Sequence, residues 1–145
     1  MNNLSEEQVC QLAMSPLCVL FLVASEYVSP EQISQRHIVR SVEYGLAWKM
    51  SFSEQICELL RSNLHEFYAN FPRELKGPFQ DGLQDELLAV RQILEQGGGP
   101  REMIDDFKTT LIDFAFFVAG GGAFRKQVDD MKMQAQAAWV ADLFA

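Results

Sequence analysis

Ser15-Pro16-Leu17-Cys18-Val19-Leu20-Phe21-Leu22-Val23-Ala24 decides the fold. From Leu17 onward the run is apolar on every side, so a helix here belongs in the centre of the molecule. A buried strand is the competing reading of so short a run. Helix is preferred because strong helix signals flank it. Upstream, Ser5-Glu6-Glu7-Gln8 is a capping box, the serine capping while Gln8 reaches back. Ser15-Pro16 reads as a second start, with the serine as N-cap and the proline at the first helical position. Downstream, Ser29-Pro30-Glu31-Gln32 joins an N-cap, a first-position proline and a capping-box glutamine. It predicts a helix to about Trp48, with Ile33, Ile38 (or His37), Val42 and Leu46 on its apolar stripe.

Further out the pattern repeats. Ser51-Phe52-Ser53-Glu54 is another capping box, followed by Ile56, Leu59, Leu60, Leu64, Phe67 and Phe71 at helical spacing, and Pro72 is expected to end that helix. Arg73 to Gly82 reads as a connection. A helix from Leu83 to Gln96 carries Leu87, Leu88, Val90, Ile93 and Leu94. Gly97-Gly98-Gly99-Pro100 breaks the chain, and Met103, Phe107, Leu111, Phe114 and Val118 mark the next stripe. After Gly120-Gly121-Gly122, a last helix from about Phe124 to Leu143 presents Val128, Met131, Ala135, Ala138 and Trp139. No segment alternates with the period of a strand between hairpin turns. The expected fold is all-α, an irregular bundle of about six or seven helices in a single domain, residues 1–145.

Composition narrows the function classes. The formal net charge is −8, from 20 acidic and 12 basic residues scattered along the chain. Without a basic stripe there is little to displace the counterions of nucleic acid or to dock on an anionic membrane. Such a charge suits solubility or a basic protein partner. Cys10, Cys18 and Cys57 have no paired spacing, and on one helix Cys10 and Cys18 would stand about 12 Å apart, too far to bridge. They are expected to be reduced, small and buried, as suits the cytoplasm. The opening residues are acidic and not followed by an export-type run. The longest apolar run, Leu17 to Ala24, falls short of the roughly 20 residues that cross a bilayer.

Catalytic patterns fail one by one. His65-Glu66 begins like a zinc-protease helix, but Ala69 stands where the second histidine is needed. Asp105-Asp106 lies in the opening turns of a helix, where the dipole favours negative charge, and Asp129-Asp130 reads as a solvated helix face. Neither glycine triplet makes a phosphate loop, which needs a preceding strand and a Gly-Lys-Ser/Thr ending. Gly120 to Gly122, ahead of Arg125 and Lys126, is the more hospitable of the two to an anion at a helix start. An enzyme would need carboxylates such as Glu58, Asp113 or Asp129 to converge with His37 or His65. No catalytic residue, cofactor or metal ligand is assigned.

Two stretches resemble each other. Leu20-Phe21-Leu22-Val23-Ala24 leads into Ser25-Glu26-Tyr27-Val28-Ser29-Pro30-Glu31, and Phe114-Ala115-Phe116-Phe117-Val118-Ala119 leads into Gly120-Gly121-Gly122-Ala123-Phe124. Each is an apolar helix end, a short turn and a new start. The pattern resembles the TerB-like helical family of tellurite resistance, in which such a motif occurs twice with an Asp-Gly turn and a following glutamate. Ser29, Pro30, Glu31 and Gly121 match it, and Gln127 stands near the glutamate. Ser25 and Gly120 replace the two aspartates, and Glu26 replaces the first glycine. The resemblance therefore implies the fold without the family's metal site, since hard cations need several oxygen ligands.

The expected function is a small acidic cytoplasmic protein-interaction module of inhibitor, immunity or adaptor type. It would bind a protein partner, basic in character, or a second copy of itself. Met50, Phe52, Phe79, Phe124 and Phe144, at or beside helix ends and breaks, are the candidate interaction residues. The alternative is a Phe-rich bundle enclosing a hydrophobic small molecule or lipid.

Overall fold

Ser5 opens the first helix through its capping box: the Gln8 amide donates to Ser5 Oγ (3.1 Å), and the Ser5 amide donates to Gln8 Oε1 (3.0 Å). The computed structural model describes residues 4–46, 51–74, 79–97 and 99–145, with residues 51–53 and 70–74 described as backbone alone. Among them are seven α-helices, two short 3-10 turns and no strand. The helices are α1 (Glu6–Ala24), α2 (Gln35–Gly45), α3 (Ser51–Ser62), α4 (Leu64–Glu74), α5 (Phe79–Gln96), α6 (Arg101–Ala119) and α7 (Met131–Phe144). This is an all-α bundle. The all-round apolar helix is its centre: α1 packs on α5, α6, α7 and α3, and every residue from Ser15 to Ala24 is buried.

The second start expected at Ser15-Pro16 does not occur, because α1 runs straight through Pro16. Proline cannot donate to the carbonyl four residues back, which is that of Leu12. Ser15 Oγ donates to the Leu12 carbonyl instead (2.6 Å), so the buried acceptor is satisfied and the helix continues. Uninterrupted, α1 has 19 residues, and an 18-residue stretch of it has a mean hydropathy of 1.6, long and apolar enough by length and composition to cross a bilayer. The shorter run seen in sequence understated this. In the fold, 67% of that stretch is buried against other helices.

The helix expected from Ser29 to about Trp48 is two pieces. The capping box forms, with the Ser29 amide donating to Gln32 Oε1 (3.1 Å), but it closes only a 3-10 turn, Pro30–Gln32. Ile33 is extended, and Ser34 caps α2 anew through a second box in which its own amide donates to His37 Nδ1 (3.1 Å). Helical geometry gives the reason. At 3.6 residues per turn, Ile33 on a continuous helix would point roughly 140° from Ile38 and about 180° from Val42. The break lets all three enter the core. Residues 47–50 lie outside the described residues, as do the side chains of the Ser51–Ser53 cap.

Asn63, not Pro72, divides the next stretch. Its side-chain amide takes the Leu59 carbonyl (2.9 Å), a local bond that competes with helix continuation. α4 then passes Pro72 to end at Glu74, so the proline sits in the last turn, where the bond forgone is that to the Tyr68 carbonyl. α5 begins at Phe79 and takes in Gly82, earlier than Leu83.

The last helix also differs from expectation. A 3-10 turn (Gly122–Phe124) and irregular chain precede α7, whose N-cap is Asp130; its Oδ1 accepts from the amides of Lys132 (2.9 Å) and Met133 (3.0 Å). Asp129-Asp130 thus precedes the helix, with Asp129 exposed as expected and Asp130 engaged as the cap. The core stripe is Met133, Ala137, Val140, Leu143 and Phe144, while Met131, Ala135 and Ala138 are exposed. Cys18 and Cys57 are buried as expected, but Cys10 is exposed. Burial pushes the Cys18 thiol well above its ordinary value of 9.0, and the Glu86 carboxylate adds to the rise.

Candidate binding groove

The turn after α6 is built on Gly121. Its φ of 91° lies in the left-handed region, and a Cβ there would stand 2.1 Å from the Lys126 carbonyl oxygen, so only glycine fits. The chain folds back on itself, the Val128 amide donating to the Gly120 carbonyl (3.0 Å). This loop docks on α2. The Phe124 ring lies between Tyr27 (5.3 Å between centroids) and His37 (5.1 Å), and Arg40 Nε donates to the Gly122 carbonyl (3.1 Å). The Arg40 guanidinium in turn sits 5.1 Å from the Tyr44 ring centroid, a cation–π distance.

Between α2 and the loop lies an open groove of about 410 Å³, with Arg36, Val39, Arg40, Glu43 and Tyr44 on the helix side and Arg125 on the loop side. Among the described residues the ion pairs are Arg91–Glu95 (3.1 Å) and Arg101–Asp105 (3.4 Å), so none of the three groove arginines has a carboxylate within 4 Å there. Tyr44 is 69% exposed. Arg125 has φ 57° and ψ 32°, the left-handed conformation, and is the one non-glycine residue with positive φ among those described. For an L-residue that backbone costs roughly 1–2 kcal/mol. The arrangement holds three guanidinium groups beside an aromatic rim, which suits anions and planar groups.

The candidate interaction residues fall elsewhere. Phe144 is only 2% exposed and belongs to the core. Phe79 is half-buried, 6.2 Å edge-on to Phe21, and Phe124 is half-buried in the loop clamp. Met50 and the Phe52 side chain lie outside the described residues. The large apolar side chains exposed instead, among the described residues, are Tyr27, Tyr44, Leu88, Phe116 and Met131. Arg36, Arg40 and Tyr44 were findable, since steps of four place them on one helix face. In sequence Arg125 reads only as a charge at a helix start, and the helix itself starts later, at Met131.

Neither histidine has a carboxylate within 4 Å among the described residues. His37 completes the Ser34 cap, and His65 Nδ1 lies 3.4 Å from Gln35 Nε2. No group of three His, Cys, Asp or Glu side chains gathers for a metal among the described residues. Comparison of the chain with family models, curated proteins and solved structures gives no match.

Proposed function

We propose that this chain is a cytoplasmic protein-interaction module, of inhibitor, immunity or adaptor type, that docks a protein partner on the α2 groove. The observation that carries the reading is the set of three arginines without carboxylate partners among the described residues, beside an exposed tyrosine. Arginine and tyrosine are the residues that most often anchor interfaces, because each offers a large contact area and a polar end. Crowded cations repel one another, and a partner's anionic groups relieve that repulsion. Elsewhere the net acidity of −8 favours the approach of a partner with a basic rim.

The hydrophobic-ligand reading has less support. Among the described residues, one apolar cavity, between Leu4, Leu12, Ile93 and Leu94, measures about 10 Å³, room for about one water where a ligand pocket needs roughly 300–1,000 Å³. Kinship with the TerB-like family would concern the fold alone. In its favour, α1 and α6 both end in a turn that leads to a 3-10 turn.

The test is retention of a partner by the tagged chain from extract of its native host at low salt, with the mass of the purified protein measured alongside. One stoichiometric protein, released as salt rises, is the expected result. A strictly monomeric chain that retains nothing overturns the proposal.

A further inference from the structure

We infer that the occupant of the α2 groove is an acidic peptide segment in extended conformation, its carboxylates gripped by Arg36, Arg40 and Arg125. The inference rests on the interaction reading and specifies the chemistry the partner presents.

Spacing supports it first. Arg36 and Arg40 are four residues apart on one helix, hence about 6 Å apart along its axis. Side chains two apart on the same face of an extended chain repeat at about 6.6–6.8 Å. Acidic residues at alternate positions therefore meet successive arginines. Arg125 reaches the same groove from the loop opposite, so the segment has cations on both sides. A guanidinium fork binds a carboxylate through two parallel hydrogen bonds, a geometry lysine does not offer.

The remaining walls favour a peptide over a lone anion. A groove of about 410 Å³ is much larger than one phosphate. Val39 and Tyr44 give it apolar surface for the intervening side chains, and the Glu43 carboxylate can accept from a peptide N–H. Arg40 is already oriented, its Nε held by the Gly122 carbonyl and its face on Tyr44, so little freedom is lost on binding. Arg125 occupies a backbone conformation that glycine adopts without strain. Residues held in such conformations cluster at ligand-binding sites.

The experiment measures binding of a short fluorescent peptide alternating Glu and Leu, beside its Gln–Leu counterpart and inorganic phosphate. Arg36→Glu alters an exposed side chain with no hydrogen bond among the described residues. It is expected to weaken the Glu–Leu peptide at least about tenfold with helicity unchanged. Arg125→Gly should weaken it too while raising Tm by about 3 °C, because the backbone strain is relieved. A folding defect lowers both quantities and cannot imitate that pair of signs. Equal binding of the Gln–Leu peptide, unchanged binding in both variants, or full displacement by phosphate at the peptide's own concentration overturns the inference. A partner captured equally well by Arg36→Glu overturns it while sparing the interaction reading. Peptide binding with no captured protein supports the groove chemistry and removes the interaction reading.

Discussion

The exits of α1 and α6 begin alike and end differently. Both helices have 19 residues, both finish on an apolar stretch and an alanine, and the cap amide of each bonds back four residues, Ser25 to Phe21 (3.1 Å) and Gly120 to Phe116 (3.0 Å). Beyond α1 the chain takes Ser25 to Ser29 before its 3-10 turn, and side chains add to the backbone bonds that hold it, among them Tyr27 (3.0 Å) and Val28 (3.1 Å) to the Ala24 carbonyl. Gln32 closes the Ser29 box, and Glu26 Oε1 accepts from the side-chain amides of Gln80 and of Gln136, the latter at 3.2 Å, tying the turn to α5 and α7. Beyond α6 two glycines suffice, and backbone holds the turn, through the left-handed Gly121 and the Gly120–Val128 bond. A turn held by backbone has fixed carbonyls, and the one at Gly122 positions Arg40. The groove exists beside the second exit for that reason.

The contrast between the two exits breaks most visibly at Gly121. Gly121→Ala puts a Cβ against the Lys126 carbonyl at a φ that alanine disfavours, and should cost about 3 kcal/mol in chemical denaturation. A loss below about 1 kcal/mol would show that the α6 exit relaxes without its left-handed glycine, as the α1 exit does.

On the α1 side the largest handle is pH. Cys18, in the buried half of the helix that leads to the exit, keeps its proton in the folded state because burial and Glu86 raise its pKa above 9.0. The unfolded chain loses that proton above 9.0, so it binds fewer protons there than the folded chain. The Cys18 contribution is therefore fully present at neutral pH and lost as pH rises past 9.0, by about 1.4 kcal/mol per pH unit. Denaturation curves for the native chain and Cys18→Ala over that range should converge as pH rises. Parallel curves would show that the thiol reaches solvent.

The smallest effect is expected at Ser25. Its buried hydroxyl has no hydrogen-bond partner among the described residues. Ser25→Ala should thus change stability by less than about 0.5 kcal/mol, with any change in the stabilising direction. A clear destabilisation would mean that the serine holds the α1 exit after all.

Much of this architecture was legible. Capping boxes at Ser5 and Ser29 are local chemistry between residues three apart, and both form. The strong stripes have the right phase at most positions, with Ile38 and Val42, Leu87 and Val90, and Phe107 and Phe114 all buried, while Leu88, expected beside Leu87, is exposed. The α7 stripe was read out of phase because its alanines, methionines and glutamines contrast weakly from face to face. Asp130, acting as a cap, then moved the start. The groove was only half legible. Arg36, Arg40 and Tyr44 form a visible face of α2, but Arg125 lies far along the chain from Arg40, and no local pattern connects the two.

What the sequence by itself determined is the class of object: helices, their principal core faces and a central apolar α1, because caps and periodicity act over three to seven residues. Only the tertiary structure decided where helices continue or break. Ser15 rescues α1 at Pro16 by reaching a carbonyl that packing has buried, and the chain breaks at Ile33, ahead of α2, because the core needs that side chain. The groove is tertiary in the same sense. Arg40 and Arg125 share a surface because the Gly121 turn brings the loop back onto α2, and that return depends on backbone contacts which charge and hydropathy patterns do not encode.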